Sequence, residues 1–337
     1  MAPLRVQHVH GDAAAGGHNT QAAVHNGLKG RGRNSASTSV LPCARSSRRR
    51  SASHGSCRDI APINAVPMVG RMLDSFTVES PFVRRARRTD PRVRLFCFPH
   101  AGAGAATFAE WPRLLPPEVE LIALQLPGRE DRIREQPLTD LTAAVRTLGL
   151  TMRPYLRGPF AFFGHSGGAL LAFELARALR GRGGPQPEHL LLSGEVAPDR
   201  PPVAEPIHEL PDEEFVAALG SLGGTAESVA GDPELMRLLL PALRADFTLG
   251  ERYEYRPEPP LAAAITVLGG HDDERAPEQA MRAWQEQTSG AFRLRIFEGG
   301  HFYLNDRPRE LAEEIGRLLL GGDQPRTEEV RPRCPAS

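Results

Sequence analysis

Short apolar runs alternate with amphipathic stretches over residues 92–320 of the chain. Six runs have the length and composition of buried strands: VRLFCF (93–98), ELIALQL (120–126), FAFF (about 160–163), HLLLS (189–193), and the runs within 262–274 and 292–304. Four stretches have helical spacing: ATFAEWPRLL (106–115), LTAAVRTLGLTMRPYL (141–156), ALLAFELARALRGRG (169–183) and PRELAEEIGRLLL (308–320). This alternation predicts an α/β protein whose twisted, mostly parallel sheet is covered by helices on both faces.

One stretch interrupts this alternation. Residues 199–250 hold two amphipathic helical segments, separated by a glycine pair at 223–224, and no strand-like run. We predict that they form an inserted helical lid over the carboxyl edge of the sheet; the alternative is that they only complete the core. The α/β domain then spans residues 76–320, followed by a flexible tail at 321–337.

The first 75 residues differ in composition from the rest of the chain. They are rich in Arg, Ser and Gly, contain little apolar periodicity, and have no apolar segment of the kind found in a secretory signal. Such a segment cannot bury enough apolar surface to offset its ordering entropy, so we expect a disordered basic extension. The alternatives are an organelle transit peptide, a nucleic-acid-binding arm, or a product that begins at Met68 or Met72 and lacks the extension.

The charges are balanced overall but unevenly distributed. Residues 1–59 hold nine basic and two acidic side chains, so the remainder carries 32 basic against 39 acidic, a net charge of −7. No global field therefore draws the whole chain to nucleic acid or to a membrane surface. No apolar run approaches the ~18–20 residues that a membrane span needs. With 40% apolar and 24% charged residues, the composition is that of a globular enzyme.

The cysteines indicate neither a disulfide framework nor a metal site. They are Cys43, Cys57, Cys97 and Cys334, with no CxxC pair and no histidine at zinc-ligand spacing. We therefore expect no bound metal and a reducing, cytoplasmic location. Cys97 lies in an apolar run and is interpreted as a small buried hydrophobe rather than a nucleophile.

The segment Gly164-His165-Ser166-Gly167-Gly168 matches the pattern G-x-S-x-G between a predicted strand and a predicted helix. A serine on such a tight turn takes a strained backbone conformation that lifts its hydroxyl above the sheet, and only small neighbours fit there. The N–H groups of the following helix point at the reacting centre. Ser166 is therefore the candidate nucleophile.

A serine nucleophile needs a histidine base and a carboxylate that orients it. In this architecture the acid and then the histidine follow the serine in the sequence, each after a strand. Asp272 and Asp273 follow one predicted strand and His301 follows the next. His301 is the candidate base, and either aspartate could serve as the acid. His165 should point away from the Ser166 hydroxyl.

Two further glycine-rich features need interpretation. The turn after the first predicted strand, HAGAG (100–104), offers backbone N–H groups for an oxyanion, together with the N–H of Gly167; the alternative is a plain turn that His100 shapes. The same glycines partly match a dinucleotide fingerprint, with Arg129-Glu130 as a ribose contact. Thr107 stands at its third position, so the match is incomplete.

The motifs together resemble the type II thioesterases of polyketide and nonribosomal peptide biosynthesis, which have the α/β-hydrolase fold. The likeness covers roughly residues 85–320. It is carried by LFCFPHAGAGAATF (95–108), LQLPGREDRIREQP (124–137), FFGHSGGALLAFELARAL (162–179), LPDEEF (210–215), VLGGHDDE (267–274) and FEGGHFYL (297–304). The residue after the nucleophile is often Met in this family, whereas here it is Gly167. The family pattern G-x-x-D favours Asp273 as the acid, with Asp272 as the alternative.

The resemblance implies hydrolysis of acyl or aminoacyl groups from the phosphopantetheine thiol of carrier proteins, which rescues stalled or misprimed assembly lines. It implies the triad Ser166, Asp273 and His301, with the Ala101 and Gly167 N–H groups as the oxyanion hole. No metal or redox cofactor is expected, and the partner is an acyl or peptidyl carrier protein rather than nucleic acid or membrane. We expect a monomer. The alternatives are a carboxylesterase or lipase-like hydrolase of free esters, or a non-catalytic binding protein with this fold.

Overall fold

The computed structural model describes residues 75–222 and 232–321. Almost all of the predicted basic extension (residues 1–74), the glycine pair at 223–224 and most of the predicted tail (residues 322–337) lie outside the described residues. In the described part, no helix is long and apolar enough to cross a membrane.

Eight strands form one sheet in the order β1-β2-β4-β3-β5-β6-β7-β8. They are β1 (Thr77–Ser80), β2 (Val83–Ala86), β3 (Val93–Phe98), β4 (Val119–Leu124), β5 (Phe160–His165), β6 (His189–Ser193), β7 (Ala264–Gly270) and β8 (Phe292–Phe297). The pairs β1–β2 and β2–β4 are antiparallel and all others are parallel. The carboxyl ends of β3 to β8 therefore meet along one edge.

Helices cover both faces of this sheet. They are α1 (Trp111–Leu114), α2 (Leu141–Thr151), α3 (Gly167–Gly181), α4 (Asp212–Leu222), α5 (Pro233–Glu251), α6 (Glu278–Arg282), α7 (Tyr303–Asp306) and α8 (Pro308–Leu320). Side chains alternate along the central strands: Phe96 and Phe162 pack under α2 and α3, whereas Leu95 and Phe163 pack under α1 and α8. The predicted α/β-hydrolase architecture is confirmed.

The structure departs from the sequence predictions mainly at element ends and at the first hairpin. Strands β1 and β2 were not predicted, because four-residue strands with the sequences TVES and VRRA give no apolar run. The helix expected over 106–115 is a 3₁₀ turn (Ala105–Phe108) followed by the single turn of α1. That turn ends before Pro116, which disfavours helical backbone in the preceding residue. Helix α2 ends at Thr151 rather than at 156.

Helices α4 and α5 occupy the region in which the lid was predicted. Phe215 and Leu219 of α4 pack with Met236 and Leu243 of α5 into a small apolar cluster separate from the two sheet cores. Phe215 also makes an edge-to-face contact with Phe247, with ring centroids 5.7 Å apart. These two helices are called the lid helices below; their role as a lid remains a prediction.

Candidate active site

Ser166 lies on a sharp turn between the end of β5 and the start of α3. Its φ of 54° and ψ of −131° are strained for a residue with a Cβ atom. A Cβ at Gly164 would overlap the backbone of Gly168, and a Cβ at Gly168 would overlap the carbonyl groups of Phe98 and Pro99. Glycine is therefore required on both sides because backbone lies against backbone there. The turn presents the serine at the carboxyl edge of the sheet.

His301 and Asp273 form a buried pair at the same edge. Asp273 follows β7 and His301 follows β8, and the His301 Nδ1 to Asp273 Oδ2 distance is 2.8 Å. The other oxygen, Asp273 Oδ1, accepts hydrogen bonds from the backbone N–H groups of Arg275 (3.0 Å) and Ala276 (3.2 Å). The carboxylate is thus held from both sides and fixes the orientation of the imidazole.

The two candidate aspartates have different surroundings. The Asp273 side chain is fully buried and contacts His301. The Asp272 side chain is 70% exposed and binds the His271 Nδ1 atom at 2.8 Å. This contact raises the pKa of His271. The structure therefore brings Asp273 to His301 and leaves Asp272 in solvent.

Three histidines cluster around the serine turn. The ring of His165 lies 4.9 Å from that of His301 and 5.7 Å from that of His100, measured between centroids. His165 Nδ1 contacts Ser193 Oγ at 2.9 Å, and Ser193 Oγ contacts the Tyr303 hydroxyl at 2.8 Å. Burial, followed by the charge of His301, holds the pKa of His165 well below its usual value. His165 is thus a neutral, buried wall of the site.

The candidate base, His301, has one ring nitrogen available. His301 Nε2 is buried and has no hydrogen-bond partner among the described residues. No hydrogen bond joins it to the Ser166 hydroxyl in the part of the chain described. In sites without substrate the distance between nucleophile and base is often longer than a hydrogen bond.

The oxyanion candidates lie on two neighbouring backbone segments. Ala101 is in the turn after β3, where Gly102 has a φ of 75°, and Gly167 begins α3. Within the described residues neither the Ala101 nor the Gly167 N–H donates a hydrogen bond to the protein. A Cβ added at Gly167 would meet no atom within 4 Å. Open space therefore lies next to Ser166, at the position where the family often has Met.

A small apolar cavity adjoins these amides. Its volume is about 30 Å³, enough for at least one water molecule. Its lining includes Ala101, Gly167, Leu126, Leu171 and Leu249. The last of these belongs to α5, so a lid helix closes one side of the cavity next to the two amides.

Sequence reasoning missed the side chains that hold the turn at 100–106. Ala105 N–H donates to Gln125 Oε1 (2.7 Å) and Ala106 N–H to Glu130 Oε1 (2.9 Å). Gly102 N–H donates to Asp246 Oδ2 of α5 at 2.7 Å. The motif LPGRE could have pointed to Glu130, but nothing in the sequence around Asp246 distinguishes it from other polar residues of an amphipathic helix.

The structure removes the nucleotide alternative at Arg129. Its side chain is 2% exposed and is bound to Asp246 through both carboxylate oxygens, at 2.6 and 2.9 Å. A guanidinium occupied in this way cannot contact a ribose. In the described residues there is also no group of three His, Cys, Asp or Glu side chains that could hold a metal ion. Cys97 is buried, as predicted, and burial raises the pKa of its thiol.

The fold and these side chains define an α/β-hydrolase with a serine on the strand-to-helix turn and a histidine–aspartate pair beside it. The thioesterase domain model matches residues 93–319, about two thirds of the chain. The chain belongs to the thioesterase family, among its type II members, and is a thioester hydrolase.

Individual relatives agree with this assignment. The gramicidin S biosynthesis protein GrsT of Aneurinibacillus migulanus is 43% identical over 71% of this chain and 93% of its own length. The thioesterase PikA5 of Streptomyces venezuelae is 42% identical over 68% and 81%. The solved structure of the type II thioesterase BorB from the borrelidin cluster is 41% identical, covers 72% of this chain and 99% of its own, and gives a TM-score of 0.67. The resemblance drawn from the motifs is confirmed.

Proposed function

We propose that this protein hydrolyses acyl or aminoacyl thioesters on the phosphopantetheine arm of carrier proteins, and so clears stalled or misprimed polyketide or peptide assembly lines. The observation that carries the proposal is the buried His301–Asp273 hydrogen bond beside the strained Ser166 turn. The similarity of this chain to proteins from biosynthetic clusters supports the proposal that the substrate is bound to a carrier protein. The expected partner is an acyl or peptidyl carrier protein.

In the proposed mechanism His301 Nε2 takes the proton of the Ser166 hydroxyl while the oxygen attacks the thioester carbonyl. The negative charge that develops on the carbonyl oxygen is met by the Ala101 and Gly167 N–H groups. Asp273 keeps the proton of His301 on Nδ1 and stabilises the imidazolium. The imidazolium then protonates the leaving pantetheine sulfur, which yields the free thiol and an acyl-Ser166 ester.

Deacylation repeats these steps with water. His301 Nε2 removes a proton from a water molecule, whose oxygen attacks the ester carbonyl within the same pair of N–H groups. The bond to Ser166 Oγ breaks, His301 returns the proton to the serine, and the carboxylic acid leaves. No redox change or metal is required for this sequence, because every proton is carried by His301.

The decisive assay compares two substrates under identical conditions: a carrier protein loaded with acetyl-phosphopantetheine, and a simple aryl acetate. Triads do not distinguish sulfur from oxygen esters, so the preference for the carrier-bound substrate is what separates the two functions. We expect a higher kcat/KM for the loaded carrier protein. A strong preference for the free ester instead identifies a carboxylesterase, and no turnover of either substrate identifies a binding protein.

The setting of this reaction is also a proposal. The unpaired, buried Cys97 thiol supports a reducing compartment, the cytoplasm. We propose that the protein acts as a monomer, and size-exclusion chromatography with light scattering on the purified full chain tests this.

A further inference from the structure

One carboxylate of the lid helices directly contacts the turn at residues 100–106, which contains Ala101 and is called the oxyanion turn below. Asp246 lies in the middle of α5, and its side chain is only 8% exposed. One of its oxygens, Oδ2, accepts two hydrogen bonds, from Gly102 N–H at 2.7 Å and from Arg129 Nη1 at 2.6 Å. Gly102 follows Ala101, the proposed oxyanion donor, so the carboxylate binds the peptide unit next to the one that would stabilise the transition state.

Helix α5 also packs on this turn through an apolar residue one turn away from Asp246. A Cβ atom at Gly102 would overlap the side chain of Leu243, so the helix lies directly against the glycine. Leu243 and Asp246 are three residues apart and share one face of the helix. The turn therefore has no room to move toward α5, and its N–H at 102 is held by Asp246.

Arg129 completes the connection from the opposite side. Its guanidinium binds both oxygens of Asp246, and its Nη1 also donates to the Ala103 carbonyl at 3.3 Å. Its backbone carbonyl accepts a hydrogen bond from Gln125 Nε2 at 3.0 Å. Planar, two-oxygen pairing of this kind fixes geometry as well as charge. The turn is thus enclosed between a helix and the segment after β4.

We propose that Asp246 is a positioning residue for catalysis: through Gly102 and Arg129 it holds the turn so that the Ala101 N–H points at the oxyanion. This inference rests on the proposed function and adds a residue to it. It makes turnover depend on the seating of α5, since a lid helix that lifts takes the carboxylate away from the turn. The hydrolase is then fully active only with α5 in place.

The loss of kcat expected on changing Asp246 can be estimated. Removing one oxyanion donor altogether costs about 10²–10³-fold in kcat. Asp246→Asn leaves an oxygen that can accept from Gly102 but removes the negative charge that binds Arg129, so the turn is loosened rather than freed. We expect kcat to fall about 10- to 100-fold, while KM changes less than about threefold.

Two inhibitors give a readout that a purely structural role would not change. The Ser166 oxygen adds to the carbonyl of a pantetheine trifluoromethyl ketone, and the adduct places an oxyanion between the Ala101 and Gly167 N–H groups. A pantetheine thioether analogue binds without forming an oxyanion. In the full-length D246N protein we expect the ketone inhibition constant to weaken by about the same factor as kcat/KM. The thioether dissociation constant should stay the same.

Glu120→Gln is the matched control. The Glu120 carboxylate is fully buried near the amino end of β4 and pairs with Arg85 at 2.9 Å and with Arg94 at 3.1 Å. It lies at the end of the strands opposite to the oxyanion turn, so the change removes a similar charge from a similar pair. We expect it to lower the melting temperature about as much as D246N and to leave kcat unchanged. Should D246N fail to fold, Arg129→Lys replaces it, because lysine keeps the charge but not the two-oxygen geometry; kcat should then fall about 3- to 10-fold.

The outcomes separate this inference from the function on which it rests. Wild-type kcat in D246N, or in R129K where D246N does not fold, overturns the positioning role. Equal weakening of the ketone and the thioether also overturns it, because the defect then lies in substrate binding. Undiminished hydrolysis by Ser166→Ala would instead overturn the proposed function and leave the contacts of Asp246 without a catalytic meaning.

Discussion

The serine turn and the oxyanion turn lie side by side at the sheet edge but are held in different ways. The serine turn is fixed by backbone: Gly164 and Gly168 lie against neighbouring main chain, and Ser166 N–H donates to the Ser193 carbonyl at 2.7 Å. The oxyanion turn is held by side chains distant in the sequence, with Asp246 the farthest at 144 residues from Gly102. The serine turn is thus held by local backbone contacts, and the oxyanion turn by contacts assembled from distant parts of the chain.

This difference implies that the two turns respond differently to substitutions and to changes of condition. A turn fixed by main-chain contacts has no side chain that can be exchanged, so it fails only when a bulky group is forced into it. A turn held by ion pairs and amides depends on the protonation and seating of other elements. We therefore expect the serine turn to set whether the enzyme works, and the oxyanion turn to set how well it works under given conditions.

Removing the nucleophile is the largest expected effect and tests the local half of the site. Ser166→Ala deletes the hydroxyl without changing the backbone, and we expect carrier-protein thioester hydrolysis to fall by at least about 10⁴-fold. The melting temperature should not fall, since Ser166 Oγ forms no hydrogen bond with His301 in the described structure. Circular dichroism and turnover of acetyl-loaded carrier protein measure both. Hydrolysis at the wild-type rate would remove Ser166 from the mechanism.

The two adjacent aspartates provide the next test. Asp273→Asn replaces the acceptor of His301 Nδ1–H by an amide that can present its N–H₂ group there instead, and this disfavours the required tautomer. We expect kcat to fall about 10³- to 10⁴-fold.

The exposed neighbour is the control for that change. Asp272→Asn alters a side chain that is 70% exposed and that contacts, among the residues the structure describes, only His271, so we expect less than a twofold change in kcat. Steady-state rates of both variants decide the assignment. The reverse ranking, with D272N the more impaired, would make Asp272 the triad acid and contradict the geometry.

The same difference between local and assembled contacts explains what the sequence could predict. Strands β3 to β8, the Ser166 turn and the order Ser–Asp–His were predictable because each depends on short-range pattern: an apolar run, a glycine pair, a strand end. The position after a strand could not separate Asp272 from Asp273, because one residue decides which carboxylate faces inward; only the family pattern G-x-x-D favoured Asp273. Asp246 could not be found at all, since its partners Gly102 and Arg129 come close only once the sheet and α5 are assembled.

Adding a methyl group at either of the two glycines that follow Ser166 measures how tightly the serine turn is packed. Gly168→Ala would press its Cβ onto the Phe98 and Pro99 carbonyl groups, so we expect the free energy of unfolding to fall by about 1–3 kcal/mol. Gly167→Ala places its Cβ in open space and keeps the N–H, and it should stabilise by about 0.4–1 kcal/mol. Urea unfolding followed by tryptophan fluorescence provides both values. Equal effects in the two variants would contradict backbone packing as the constraint.

Protonation gives the smallest expected effect and acts on the oxyanion turn. His100, at the start of that turn, is partly buried, and its Nδ1 atom is enclosed and unpaired among the described residues. Burial, then the charges of His301 and Arg275, lowers the pKa of His100 to about 4. The unfolded imidazole titrates near 6.5. Between these values the unfolded state binds the proton and the folded state does not, so stability decreases as the pH falls from about 6.5 to 4.

Replacing His100 should therefore flatten part of this slope. In His100→Gln we expect the free energy of unfolding to lose less per pH unit below 6.5, by up to about 1.4 kcal/mol per unit, than in the wild type. His271→Gln is the control: its ring is exposed and its pKa is raised by Asp272, so it cannot produce a loss of this sign. Urea titrations at half-unit steps from pH 7 to pH 4 compare the three proteins. Parallel curves for H100Q and the wild type would show that the oxyanion turn does not sense protons through His100.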